Sequence, residues 1–303
     1  MMIDRSYKSL MEVLTGLLLN RSLDFGPIIL ISFDVESPID SYIQEINIAK
    51  NIGHRNRIGL RRLLDVSYAY EVPFTLFSTG HALLEKCNGH RTLIRIVRRN
   101  RRYGFHIGEY NWHVLDPASN YVEYPEFYYG DLIKEAIKSG IGHEIASHSF
   151  AHIPYPLVDD ETVERDLNMS VEALQSHGLK PYLSYSLAFP FNLVGKMHVL
   201  LKHGIKIVRI GHKGIRNVTY KNGLVMVKSN ITDLSIDSLR RWIKIIDLLV
   251  KKRTLLSWYL HPVTLYNDKA YRIFEEIMKY LTKKEVNFLT FRKLYYYITL
   301  EML

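Results

Sequence analysis

Two histidines four residues apart, His148 and His152, sit in the stretch Gly142-His143-Glu144-Ile145-Ala146-Ser147-His148-Ser149-Phe150-Ala151-His152. On one face of a helical turn, that spacing lets both imidazoles hold a single metal ion. The chain has 13 histidines, so the pair alone says little. It gains weight from Ile29-Leu30-Ile31-Ser32-Phe33-Asp34-Val35-Glu36-Ser37, an apolar strand that ends in two carboxylates. Strand ends are where α/β enzymes place their chemistry. A carboxylate with two imidazoles suits a divalent ion with open positions, and zinc commonly takes that set for hydrolysis. Such an ion lowers the pKa of a bound water to about 7 and polarises a carbonyl. A second carboxylate can take the water's proton, and a histidine opposite, for which His261 before Pro262 is the candidate, can protonate the leaving group. The chemistry is hydrolysis of esters or amides. The plainer readings are a capping Asp34, a solvated Glu36, a buried hydrogen-bonded His148 and a His261 that merely closes a strand.

These residues need elements to position them, and strands and helices alternate along the chain. Residues 1–26 read as a helical extension, and strand 28–33 follows. Helical periodicity over 58–70 (Leu60, Leu63, Leu64, Val66) leads into a strand over 72–78, and a helix resumes over 82–86. Further helices are expected over 131–138, 162–177, 194–202, 237–252 and 271–283. Strands are expected up to Ser147 and over 183–189, 205–210, 254–260 and 286–289, and Lys221-Asn222-Gly223 reads as a hairpin turn. The crowded Arg95, Arg98, Arg99, Arg101 and Arg102 read as a solvated helix face, or as a patch for the phosphate of a lipid- or nucleotide-linked sugar. Residues 103–130 read as a long aromatic loop, in which Trp112 and His113 either stack on a sugar ring or pack the loop down. The alternation argues for a parallel α/β sheet or barrel, in one domain spanning 1–303. In a closed barrel, Asp34, Glu36, His148, His152, Pro190, Phe191 and His261 meet at the C-terminal ends of the strands.

Composition narrows the setting. The 303 residues carry a formal net charge of +9 and one cysteine, Cys87. An internal disulfide is therefore excluded, and the cytoplasm is the default location. The positive charge favours an anionic partner or peripheral contact with an anionic surface. It is scattered and accompanied by no nucleic-acid-binding motif, so a nucleic-acid partner is not expected. No run approaches the roughly 20 apolar residues of a membrane span.

The ordered set Phe33-Asp34-Val35-Glu36, His148-Ser149-Phe150-Ala151-His152, Phe189-Pro190-Phe191 and Leu260-His261-Pro262 resembles the polysaccharide deacetylases, carbohydrate esterase family 4. Thr75-Leu76-Phe77-Ser78-Thr79-Gly80 resembles that family's second strand, so the likeness runs from about residue 28 to 290. The resemblance implies a distorted (β/α)7 barrel that removes acetyl groups from carbohydrates with one divalent metal, zinc above all. It implies Asp34 as base, Glu36, His148 and His152 as metal ligands, and His261 as acid. The Phe191 N–H, beside Pro190, would help hold the oxyanion.

Two features depart from that family. Its acidic pair is two adjacent aspartates, whereas here Val35 separates Asp34 from Glu36, a spacing that resembles the branch with peptidoglycan deacetylases and allantoinase-like amidases. Its third motif carries an arginine that orients the base, and neither Ala188 nor Phe191 supplies one. The leading expectation is an N-deacetylase of an amino sugar or polysaccharide precursor. The alternatives are a hydrolase of another linear or cyclic amide, and a glycan-binding barrel without catalysis.

Overall fold

The computed structural model describes residues 27–40, 45–89, 92–101, 104–179, 184–186, 196–211, 218–221, 223–232 and 238–301. In chain order its first half holds β1 (Ile28–Val35), α1 (Ile46–Tyr70), β2 (Thr75–Ser78), α2 (Gly80–Leu83), β3 (Leu93–Ile96), β4 (Gly108–Asn111), α3 (Gly130–Lys138), β5 (Glu144–Ser147) and α4 (Asp160–Ser176). The second half holds β6 (Ser184–Ser186), α5 (Met197–Lys202), β7 (Ile207–Ile210), β8 (Val218–Lys221), β9 (Leu224–Lys228), α6 (Leu239–Lys252), β10 (Leu255–Leu260), α7 (Asp268–Leu281), β11 (Asn287–Phe288) and α8 (Phe291–Glu301).

The main sheet runs β10-β1-β2-β5-β6-β7-β9, and every neighbouring pair along that path is parallel. Beyond β9 the chain turns back to the far edge. Ile231 bridges in parallel to Trp258, the Asn230 and Ile231 N–H groups donate to the Ser257 carbonyl, and Tyr259 N–H donates to the Ile231 carbonyl. The seven strands β1, β2, β5, β6, β7, β9 and β10 thus curl into a ring, the distorted (β/α)7 barrel expected from the sequence. Strand β8 lies antiparallel on β9 as the expected hairpin, and β11 adds to the start of β1.

Alternation along β1 sorts two cores. Ile29, Ile31, Phe33 and Val35 face the outer helices, where Phe33 meets the rings of Phe74 and Phe274. Ile28 and Leu30 face inward with Phe77, Ala146, Ile207, Val225, Val227 and Leu255, and Phe291, Leu294 and Ile298 of α8 pack onto that inner cluster. Ser32 and Asp34 continue the inward series, so the barrel interior changes from apolar to polar along the strand. The N-terminal end is tied by Glu144, which accepts from Thr75 Oγ1, Ser184 Oγ and the Arg292 N–H.

Several elements differ from expectation. Helix α1 begins at Ile46, a dozen residues before the periodic stretch, and its two glycines, Gly53 and Gly59, serve close approach. A Cβ on Gly53 would lie 2.0 Å from the Glu126 carbonyl oxygen, and one on Gly59 1.8 Å from that of Pro262. The arginine-rich run is no helix face: β3 carries Arg95 and pairs antiparallel with β4 inside the supposed loop. Helix α8 was not anticipated. Residues 1–26, Arg102 and Asn222 lie outside the described residues. No helix among the described residues is long and apolar enough to cross a membrane.

Gly59 holds α1 against the 3-10 turn Pro262–Tyr266 that follows His261. In an unobstructed helix Gly→Ala stabilises by about 1 kcal/mol. Here Gly59→Ala is expected to destabilise by about 1–3 kcal/mol, because the methyl meets backbone that cannot step aside. Urea unfolding at unchanged m-value checks the sign.

Candidate active site

Five of the sequence-selected residues converge at the C-terminal ends of β1, β5 and β10. Glu36, one residue past β1, places Oε1 3.2 Å from His148 Nε2 and 3.2 Å from His152 Nε2. His261, directly after β10, points Nε2 at the same oxygen from 3.7 Å and at Asp34 Oδ2 from 3.9 Å. His148 Nε2 also lies 3.8 Å from Asp34 Oδ2. Exposure grades across the group: Asp34 is 5% exposed and His148 1%, whereas the His261 side chain is 35% exposed. The group thus has a buried floor and an open rim.

Glu36, His148 and His152 each offer one ligand atom, all within 4.8 Å of one another. Oxygen–nitrogen separations of 3.2 Å match the edge, about 3.3 Å, of a tetrahedron drawn with ~2.0 Å zinc–ligand bonds. His148 Nδ1 lies 3.0 Å from the Ser186 carbonyl oxygen, to which it donates, so Nε2 is the ring atom that faces the cluster. This donor set fits a divalent ion. Burial pushes the Glu36 carboxyl up, but His152 and the hydrogen bonds from His148, His152 and His261 outweigh it and hold it well below the usual range. Burial lowers His152, and Glu36 more than reverses that.

The pair is not held on a helical turn. After β5 the chain enters an irregular loop in which Ser149 (φ 69°) and His152 (φ 51°) are left-handed, and this brings the two rings to 5.0 Å. Buried Asp166 of α4 fixes the loop by accepting from the Phe150 and Ala151 N–H groups, both at 2.9 Å, and from Tyr155 OH at 2.7 Å. From the other side, Gly80 and His81 of α2 donate their N–H groups to the Ser149 and Phe150 carbonyls.

The arginine absent from the third motif is present in space. Arg209 on β7 donates from Nη2 to both Asp34 oxygens at 2.5 Å, and to Ser186 Oγ at 2.5 Å. Its Nη1 donates to Ser32 Oγ at 3.1 Å. The guanidinium lies over the rings of Phe77 and Tyr259, 4.9 and 4.6 Å from their centroids, and is 5% exposed. Ser186 on β6, the strand that leads into the third motif, is the β-sheet partner of Arg209, so this cation comes from the neighbouring strand. Burial raises the Asp34 carboxyl, but Arg209, with His148 and His261, holds it below its ordinary value. The sequence signal was a lone cation in the apolar run Ile207-Val208-Arg209-Ile210, where a buried strand tolerates charge only if it is paired.

Other selected residues lie elsewhere. Trp112 is 3% exposed, gives its indole N–H to the Ala151 carbonyl and stacks on Phe105, so it packs beneath the histidine loop and offers no face to a sugar. His113 is 2% exposed and bonded to Asp40 Oδ1 and Thr92 Oγ1, so it serves as a buried hydrogen-bonded support away from the barrel-mouth cluster. Pro190 and Phe191 lie outside the described residues. His143 sits at the opposite end of the barrel, its Nδ1 accepting from Phe74 N–H and its Nε2 3.0 Å from Ser67 Oγ.

Fold and site together define the class: a (β/α)7 barrel with a polar cluster at the C-terminal ends of its strands. Within that class the chain belongs to the polysaccharide deacetylase family, whose model matches residues 57–207. No curated protein matches the sequence. Among solved structures, one described as a probable polysaccharide deacetylase from Pseudomonas aeruginosa PAO1 is similar over 91% of this chain and 92% of its own, at a TM-score of 0.65 and 12% identity. The Puue allantoinase is similar over 88% of each chain, at a TM-score of 0.61 and 13% identity. The 4-alpha-glucanotransferase from Thermococcus litoralis is similar over 89% of this chain and 40% of its own, at a TM-score of 0.57 and 14% identity. At these identities the likeness is one of fold. Family membership supports a carbohydrate deacetylase, a hydrolase acting on C–N amide bonds.

His143 also supplies a pH-dependent term in stability. Burial lowers its pKa to about 4, against 6.5 when unfolded. The unfolded chain therefore binds the proton first, and stability present above pH 6.5 is lost as the pH falls toward 4. The loss amounts to about 3 kcal/mol at full effect. Urea unfolding of wild type and His143→Gln across that range is expected to show this component only in wild type.

Proposed function

We propose that the protein is a metal-dependent carbohydrate N-deacetylase that releases acetate from an acetylated amino sugar or a polysaccharide precursor. The observation that carries this reading is the meeting of Asp34, paired to Arg209, with the Glu36–His148–His152 group and His261 at one barrel mouth. Glu36, His148 and His152 hold the ion, with zinc the first choice for a His₂-carboxylate set. When bound, such an ion supplies Lewis acidity toward a water and the acyl carbonyl.

Asp34 accepts the proton of the attacking water. Arg209 keeps that carboxylate ionised and turned toward the cluster, while Ser32 and Ser186 each accept a further guanidinium hydrogen bond. His261, at the exposed rim, gives its proton to the amine nitrogen as the C–N bond breaks. One proton is gained by Asp34 and one is lost by His261, so the site resets when a proton crosses the 3.9 Å between Oδ2 and Nε2, directly or through water. The Phe191 N–H and Pro190 complete the oxyanion side in this reading. A cytoplasmic setting, favoured by the single cysteine, makes a precursor a more natural substrate than assembled polymer.

A second reading, hydrolysis of another linear or cyclic amide, draws on the spaced Asp34–Glu36 pair and the allantoinase-like fold. Comparing acetate release from N-acetylated chito-oligosaccharides with ring opening of cyclic ureides separates the two. Arg209 weakens the case for a glycan-binding barrel without catalysis, because it gives Asp34 a guanidinium partner that the third motif lacks.

Asp34→Asn is expected to lower acetate release by about 10²–10⁴-fold while zinc content and fold are retained. Unchanged turnover overturns the assignment. The double variant His148→Ala, His152→Ala is expected to lose one equivalent of bound zinc relative to the native protein. In Arg209→Met the Asp34 carboxyl is freed to rise, so the acidic limb of kcat/KM is expected to move to higher pH. An unmoved limb removes Arg209 from this role.

A further inference from the structure

A second cluster of metal-ligating side chains stands apart from the barrel mouth. His81 of α2, Cys87 just beyond that helix and Asp116 of the following aromatic segment each present one ligand atom, all within 4.8 Å of one another. His81 Nε2 lies 3.3 Å from Asp116 Oδ2, and Cys87 Sγ 2.9 Å from the same oxygen. His81 is 0% exposed and Cys87 2%. Asp116 Oδ1 is fully engaged by Tyr128 OH at 2.5 Å and the Ala118 N–H at 2.9 Å. The carboxylate is therefore held rigidly, with Oδ2 turned to the imidazole and the sulfur.

We propose that His81, Cys87 and Asp116 form a second metal site, separate from the Glu36–His148–His152 group, that takes one thiolate-compatible divalent ion of the zinc class. The 3.3 Å nitrogen–oxygen separation equals a tetrahedral edge at ~2.0 Å bonds, and the sulfur contact opens by about half an ångström to reach a ~2.3 Å zinc–sulfur bond. Cys87 loses its thiol proton to solvent on binding. Thiolate and carboxylate then bring two negative charges to a divalent cation, and the sulfur selects against magnesium and calcium. A cavity of about 810 Å³, lined by Asn88, Asn111, His113 and Asp116, adjoins the cluster and leaves the fourth position to water.

The location gives the ion a structural task. The His81 N–H donates to the Phe150 carbonyl inside the histidine loop, and the His81 ring stacks on His113 at 4.7 Å. His113 in turn bonds Asp40, which accepts the Ser37 N–H next to Glu36. An ion on His81 therefore braces both segments that carry the first ligand set, whatever reaction that set performs.

Elemental analysis and cobalt substitution test the assignment. Native protein incubated with zinc is expected to hold two equivalents, the His148→Ala, His152→Ala variant one, and Cys87→Ala one. The cobalt-loaded native protein and the double-histidine variant are expected to show a thiolate-to-cobalt charge-transfer band, which Cys87→Ala lacks. The native protein alone gives a readout that needs no variant: zinc is expected to slow the reaction of Cys87 with a disulfide reagent at least tenfold, and a chelator to restore it. One equivalent in the native protein, no charge-transfer band and a thiol rate indifferent to zinc would overturn the proposal and leave the cluster a hydrogen-bonded support.

Discussion

The Asp34–Arg209 pair is the constraint around which the barrel mouth is arranged. An isolated carboxylate at the end of a strand buried on both faces is costly, and so is an isolated guanidinium inside a barrel. Each is tolerable because the other is there, with Ser32 and Ser186 taking further donors and two aromatic faces covering the cation. Removing one partner of such a pair costs about 3–5 kcal/mol, which makes the two residues interdependent. The rest of the site hangs from this arrangement. Val35 turns outward to the helices, Glu36 passes beyond the strand, and its carboxylate meets His148 and His152 more closely than Asp34 does.

A second support acts on the histidine loop. Its left-handed residues satisfy no regular hydrogen-bond ladder, so their N–H and carbonyl groups find partners in Asp166 and in the backbone of α2. Phe150, between the two histidines, packs against Gly80 so closely that a Cβ there would lie 2.4 Å from its ring. The loop is thus clamped between α2 and α4, and the imidazoles inherit their positions from that clamp. Trp112 serves the same loop from below through the Ala151 carbonyl, which explains a buried tryptophan in a segment whose composition suggested a binding surface.

The sequence carried the parallel alternation and the strand-end residues well, because buried parallel strands such as Ile28–Val35 are continuous apolar runs and polar residues stand out at their ends. It carried less wherever meaning depends on a neighbour distant in sequence. Arg209 is an unremarkable letter until β7 lies across from β1. The role of Gly53 and Gly59 is visible only once the Glu126 and Pro262 backbones approach them. The H-x-x-x-H spacing suggests a helix, yet the same spacing on a clamped loop presents the rings as well. Arginine crowding masked the alternation Leu93-Ile94-Arg95-Ile96, whose exposed and buried residues follow a strand's period of two.

The closing of the ring is uneven, and this gives the buried ion pair a mechanical meaning. Strands β1 and β10 share six paired positions and β7 and β9 share four, whereas among the described residues the return from β9 to β10 is made by the bridge at Ile231 and the hydrogen bonds around it. Asp34 and Arg209 stand on opposite sides of that seam, one on β1 beside β10 and the other on β7 beside β9. Their bond spans the barrel interior as a cross-brace between two strands that are not neighbours in the sheet. Neutralising this carboxylate would take the charge out of a tie between two strands that share no sheet hydrogen bond.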